Sequence, residues 1–264
     1  MTFCIGIRVH DGIIALADTR IVRGSEQVNK QKLAEFQHED ESLFTMTSGL
    51  RSVRDKTLVY VEETLQSAKP PMARLYQFVN LFGEQLRRVK HEDGMALSSA
   101  GLHFNLHAII GGCLAADPTP QLFYVYSEGN WLEASVDSPY FIIGRTYYGK
   151  SILDRLLTYE TSLQSALALA LLAFDATRTS VTDVDYPIDV AVIPTGTRRP
   201  IFQRYTESDL QNTTHWWAQL LSRSLSSIPM DWAQELLLRA TGASEAPQRF
   251  VPSANTYNYQ PPSE

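Results

Sequence analysis

The sequence predicts a layered sandwich of the α+β class, and three observations carry that expectation. Elements of one kind arrive in blocks: strands, two helices, strands, two helices, strands. A strict alternation of strand and helix would instead build a doubly wound parallel sheet. The second strand-like run, Ile13–Asp18 (IIALAD), is apolar until its last residue, as a strand covered on both faces must be. Connections are short, and no Pro/Gly/Ser-rich linker or repeat interrupts the middle of the chain. The 264 residues are therefore read as one domain over 1–206, a helical extension over 207–242 and a flexible tail over 243–264.

In chain order, Thr2–Val9 (TFCIGIRV) is β-rich, and His10-Asp11-Gly12 turns it into Ile13–Asp18, so the pair reads as a hairpin. Arg23-Gly24-Ser25 falls in a polar loop. Val28–Phe36 is a weaker strand that contains Lys30 and Lys32, and Leu43–Thr47 is another, ending at Ser48-Gly49. Leu50, Val53, Leu58, Val61 and Leu65 share one helical face, Pro70-Pro71 breaks the chain, and Leu75, Phe78, Val79, Phe82, Leu86 and Val89 define a second amphipathic helix. Met95–His103 is read as loop or a short helix.

Strands return at Phe104–Leu114, where Gly111-Gly112 suggests a bulge or a close backbone approach. Gln121–Ser127, Trp131–Val136 and Tyr140–Ile143 follow. Helices are expected at Tyr148–Leu157 and at Leu163–Thr177, the latter apolar nearly all round and so buried between layers. Ile188–Ile193 and Ile201–Thr206 are strands, and two helices near Ser208–Leu225 and Asp231–Ala240 complete the pattern.

Composition excludes several function classes. The chain is 44% hydrophobic and 20% charged, enough for a sizeable core, and its net charge of −6 offers no basic footprint for nucleic acid or an anionic membrane. Cys4 and Cys113 lie in apolar runs and read as buried thiols rather than a disulfide framework. The six histidines are scattered without metal spacing, and isolated glycines make no phosphate cradle, so neither metal nor cofactor is expected. The N-terminus lacks the basic and apolar regions of a signal peptide, and the longest apolar run is too short to span a bilayer. The expectation is a soluble, cytoplasmic protein.

The front of the chain carries the chemistry. A threonine follows Met1, and initiator methionine is usually clipped before so small a residue. A free N-terminal threonine is a catalytic pair in itself. Its α-amine, with a reference pKa of about 8, can take the hydroxyl proton as the hydroxyl attacks a carbonyl. A nearby lysine favours the neutral amine and steadies negative charge developing on the oxygen, and a carboxylate beside the lysine keeps it charged. Thr2, Lys32 and Asp18 fit these three parts.

These residues also carry a resemblance. Thr2, the strand with Gly6, Asp11-Gly12, Ile13–Ala17, Asp18-Thr19-Arg20 and Lys32-Leu33 look like the start of a proteasome β-type subunit. Ser48-Gly49 before a helix, Ile143-Gly144 followed by Tyr148-Gly149-Lys150-Ser151-Ile152-Leu153-Asp154, and Pro187–Ile193 resemble later motifs of the same family. Met1-Thr2-Phe3-Cys4-Ile5-Gly6, Tyr148–Arg155, Trp216-Trp217 and Ile228-Pro229 are most similar to its bacterial ancestral β-subunit (Anbu) branch.

The resemblance implies a four-layer αββα fold of N-terminal-nucleophile hydrolases, with two antiparallel-rich sheets between helix pairs. It implies a Thr2 hydroxyl that forms an acyl ester, with the Gly49 N–H for the oxyanion, and a supporting hydroxyl for which Thr146 is the candidate and Arg145 the alternative. Asp175 maps to the family's late aspartate, as a partner for the Thr2 amine. Arg178 stands where the family has a serine, with Thr177 and Ser180 nearby, and Lys30 is the runner-up to Lys32.

Three functions follow: a threonine-type peptidase acting on peptides or unfolded chains inside a homo-oligomeric ring or open helical assembly, an amidase on small amides, and a catalytically silent assembly subunit. Any ATPase partner would be another chain that nothing here names.

Overall fold

The structure is a computed structural model that describes residues 2–23, 26–38, 41–67 and 72–241. Gly24-Ser25, Pro70-Pro71 and the 243–264 tail lie outside the described residues. The chain divides after Ser208 into two compact units.

The first unit is a four-layer sandwich. β1 (Phe3–Val9) and β2 (Gly12–Asp18) form the hairpin, and β3 (Arg20–Arg23) pairs with β4 (Glu26–Asn29) in a two-stranded ribbon. β5 (Leu33–His38) and β6 (Glu41–Gly49) lead into helices α1 (Arg51–Ser67) and α2 (Leu75–Ser99). β7 (Leu106–Gly112), β8 (Gln121–Val125), β9 (Trp131–Glu133) and β10 (Tyr140–Gly144) precede α3 (Tyr147–Leu156) and α4 (Leu163–Arg178). β11 (Ile188–Pro194) and β12 (Ile201–Tyr205) close the unit.

One sheet runs β10-β1-β2-β11-β12 and the other β5-β6-β7-β8-β9, and every pairing within them is antiparallel. α1 and α2 pack on β6, β7 and β8, while α4 packs on β1 and β2 with α3 beside it.

Period-two alternation explains the core. Cys4, Ile13, Ala15 and Ala17 point between the sheets toward Phe44, Met46, Ile109 and Leu122. Phe3, on the opposite face of β1, meets Phe174 of α4 with ring centroids 6.2 Å apart. A second apolar cluster lies under α1 and α2, centred on Phe78, Phe82, Leu86, Leu106 and Phe123. Asp117 seats the start of α2, because its Oδ2 accepts the N–H groups of Leu75 and Leu114, both at 2.9 Å.

Several expectations are corrected. No single strand covers Val28–Phe36: β4 ends at Asn29, β5 starts at Leu33, and Lys30 and Lys32 lie in the break between them. Lys32 turns inward there to the buried Asp18 carboxylate. α2 continues to Ser99 through most of the segment read as loop or short helix. β9 is three residues rather than six. β7 pairs without a bulge, and Gly111 is instead the site of a close approach: a Cβ there would sit 2.3 Å from the Phe44 ring. α4 belongs to an outer layer, where β1 and β2 cover one side and α3 another, so a nearly all-apolar helix is still enclosed.

The second unit contains most of α5 (Glu207–Leu225), a 3₁₀ turn at Asp231–Ala233 and α6 (Gln234–Thr241). Trp216 is 59% exposed. Among the described residues no helix is long and apolar enough to cross a membrane.

Candidate active site

Thr2 is nearly buried at the mouth of β1. Its carbonyl accepts the Arg145 N–H at 2.8 Å, just beyond β10. Gly144 makes that approach possible: it has φ +91°, and a Cβ would stand 1.8 Å from the Thr2 carbonyl oxygen. One residue on, the Phe3 N–H donates to Asp18 Oδ1 at 2.8 Å. The start of the chain is thus gripped on one side by β10 and on the other by the end of β2.

Asp18 has no exposed surface and Lys32 very little. Lys32 Nζ donates to Asp18 Oδ1 at 2.7 Å and to the Arg20 carbonyl at 2.7 Å. Asp18 Oδ2 has no hydrogen-bond partner among the described residues. Burial pushes the Asp18 carboxyl up, to about 6, against the pull of the Lys32 ammonium and the Phe3 N–H. Burial likewise pushes the Cys4 thiol far up, so it is inert.

Thr2, Lys32 and Gly49 line one cavity of about 570 Å³, with Lys30, Thr47, Ser48, Arg51, Arg54 and Asn105 also in its walls. Gly49 closes β6 with φ +146°; a Cβ there would fall 2.2 Å from the Asn105 carbonyl oxygen, so only glycine lets the two backbones meet.

Two candidates stand elsewhere. Thr146 lies at the start of α3, makes no capping side-chain hydrogen bond, and lines a second cavity with Tyr140, Tyr147 and Lys150. Asp175 is paired with Arg178, Oδ1 to Nε at 3.2 Å. Burial raises the Asp175 carboxyl while Arg178 pulls it back. Arg145, the alternative to Thr146, forks onto Asp183 through Nε at 3.2 Å and Nη2 at 2.8 Å, while its backbone serves Thr2. Thr177 and Ser180 hydroxyls donate back to the α4 carbonyls of Ala173 and Ala176.

Sequence reasoning missed Arg51, Arg54 and Asn105. Arg51 and Arg54 sit on the first turn of α1, where only their nearness to Ser48-Gly49 could have marked them.

The family model for proteasome subunits matches residues 2–193. The chain belongs to the proteasome subunit family. Proteasome subunit beta 1 of Pyrobaculum neutrophilum is 26% identical over 210 residues, covering 77% of this chain and 94% of that one. Among solved structures, a Gly-1 mutant of Anbu from Hyphomicrobium sp. strain MC1 has a TM-score of 0.79 at 28% identity, covering 87% of this chain and 98% of that one. Anbu (ancestral β-subunit) from Yersinia bercovieri has a TM-score of 0.76 at 27% identity, covering 86% and 97%. The helical assembly of the Anbu complex from Pseudomonas aeruginosa matches with a TM-score of 0.79 at 26% identity, again covering 86% and 97%. The resemblance read from the sequence, to proteasome β-type subunits and their Anbu branch, is therefore what the comparisons find. Two antiparallel sheets between helix layers frame the site.

Proposed function

We propose that this protein is a threonine-type peptidase whose nucleophile is Thr2, made N-terminal by removal of Met1. The observation that carries the reading is the shared cavity of Thr2, Lys32 and Gly49, with Lys32 Nζ 2.7 Å from the buried Asp18 carboxylate. The α-amine of Thr2 takes the proton from Oγ1 as that oxygen attacks a peptide carbonyl. The Lys32 ammonium favours the neutral amine and the developing alkoxide. Negative charge on the tetrahedral oxygen falls to the Gly49 N–H, and one such donor is worth about 3–4 kcal/mol of barrier in other hydrolases. Collapse breaks the C–N bond, and the leaving amine takes the proton from the α-ammonium. Water, deprotonated by the same amine, then hydrolyses the ester.

Asp18, Lys32 and Gly49 are the proposed supporting residues. Asp175 and Thr146 would act from further out. The working form is a homo-oligomer in the cytoplasm, ring-like or helical, as the named assembly of the Pseudomonas aeruginosa relative suggests. Mass spectrometry of the intact protein should show loss of Met1 and one adduct with an electrophilic threonine-protease inhibitor, absent in Thr2→Ala. A wild-type protein with Thr2 at its terminus and no adduct would refute the proposal. Release of small amines without any peptide cleavage would point to an amidase.

A further inference from the structure

The cavity that holds Thr2 is basic, although the chain carries a net charge of −6. Lys30, Lys32, Arg51 and Arg54 line it, and among the described residues no carboxylate does. Lys32 is matched by Asp18 behind it. Arg51 and Arg54 share a single carboxylate, Asp55, at 3.1 Å and 2.6 Å. Their two guanidinium groups hold the Asp55 carboxyl below its ordinary range against a partial burial cost. No carboxylate among the described residues pairs with Lys30. The wall that faces the cavity thus keeps an excess of positive charge, contributed by Lys30 and by the two arginines.

The lining also has an apolar part. Ile21, Val28, Leu50 and Leu106 flank the cations, so a ligand with a methylene stem and an anionic head would satisfy both kinds of surface. Arg54 is already oriented, because Nε and Nη2 both bind Asp55 Oδ1 at 2.8 Å and 2.6 Å. Its guanidinium is thereby held in place with N–H donors left over, and a guanidinium fixed in this way can bind a second carboxylate with little further ordering. A lysine or arginine brought into the same space would meet like charge with no acid to receive it.

We infer that this cavity selects peptides bearing a side-chain carboxylate next to the bond to be cleaved, with Arg54, Arg51 and Lys30 as the groups that recognise it. The inference rests on the peptidase reading of the same cavity.

The test separates recognition from chemistry. Full-length Thr2→Ala protein is titrated with blocked tripeptides Ala-Ala-X carrying a neutral fluorophore, with X as Glu, Gln or Lys, and binding is read by anisotropy. The Glu peptide should bind about tenfold more tightly than the isosteric Gln peptide, and the Lys peptide most weakly. The Glu-to-Gln ratio should shrink several-fold in Arg54→Gln, and also in Lys30→Gln, which breaks no ion pair among the described residues and so guards against misfolding of the first variant. It should also fall as salt rises. Equal binding of Glu and Gln peptides, or a preference unmoved in both variants, would overturn the inference. Wild-type protein that binds the Glu peptide selectively yet never cleaves it would instead overturn the peptidase reading.

Discussion

Replacing Asp18 by Asn isolates the charge that holds the proposed site together. Asparagine keeps the shape of the side chain, and its Oδ1 can still accept the Phe3 N–H now bound at 2.8 Å. What disappears is the negative charge 2.7 Å from Lys32 Nζ, between side chains only 0% and 3% exposed. Leaving one member of a buried pair uncompensated costs about 3–5 kcal/mol. That is a large part of the roughly 5–15 kcal/mol that holds a typical domain folded. Lysine can escape part of the cost by giving up its proton, which also removes the ammonium the chemistry needs. Urea unfolding followed by tryptophan fluorescence, at one protein concentration, should show a clear fall in the midpoint. The double variant Asp18→Asn/Lys32→Met replaces the stranded ammonium with an apolar side chain of similar length. It should recover most of the lost stability and none of the peptidase activity, with a coupling energy of about 2 kcal/mol or more. If Asp18→Asn unfolds within about 1 kcal/mol of wild type, or the double variant is simply additive, the pair does not have the role assigned to it.

Two further outcomes follow from the same geometry. Burial pushes the Asp18 carboxyl up to about 6, and its ionised form is the one that pairs with Lys32, so peptide hydrolysis should fall as pH drops through about 6; a profile flat between pH 7 and 5 would contradict this. Gly144→Ala places a methyl 1.8 Å from the Thr2 carbonyl oxygen at a positive φ, so the start of β1 must move. Activity should drop at least a hundredfold, and a variant with wild-type kcat/KM would show that the Arg145 N–H does not set the position of Thr2.

The layers were legible in the sequence because hydrophobic period reports burial directly. β2 is buried throughout and β1 at every residue but Arg8, as their largely apolar runs demand, and the amphipathic face of α2 packs under its sheet. The ribbon of β3 and β4 was not legible. It has only four residues per strand, mixes polar with apolar side chains and so lacks a clear period, and among the described residues its ladder is extended only by the Lys30 N–H on the Thr19 carbonyl at 2.8 Å. Within the candidate site, Thr2, Asp18 and Lys32 could be read because chain position and a terminal carboxylate on an apolar strand mark them. Arg54 could not, since a charged residue on the first turn of a helix is ordinarily solvated. The environment of Asp175 was equally hidden. An aspartate near the end of an apolar helix requires a partner, and Arg178, three residues along, lies within reach on the same face.

That Arg178 stands where the family resemblance places a serine has a structural answer. Besides Asp175 it reaches Asp185 at 3.8 Å and Glu207 at 3.4 Å, and its guanidinium lies 5.1 Å from the centre of the Tyr186 ring. Arg20 approaches the same segment from the strand side, with Nη2 on Asp185 at 2.7 Å and Nη1 on the Thr182 carbonyl at 3.2 Å. Arg145 holds Asp183 at 2.8 Å. Three arginines therefore fix the segment between α4 and β11, and two of them also serve the site through their backbones: the Arg145 N–H binds the Thr2 carbonyl, and the Arg20 carbonyl accepts Lys32. A hydroxyl could satisfy Asp175 alone. A guanidinium satisfies it and also joins the helix end to the loop that the other two arginines grip. The consequence is that Thr2 and Lys32 are positioned by backbone groups of residues whose side chains are anchored in one ionic network, so loosening that network should disturb both at once.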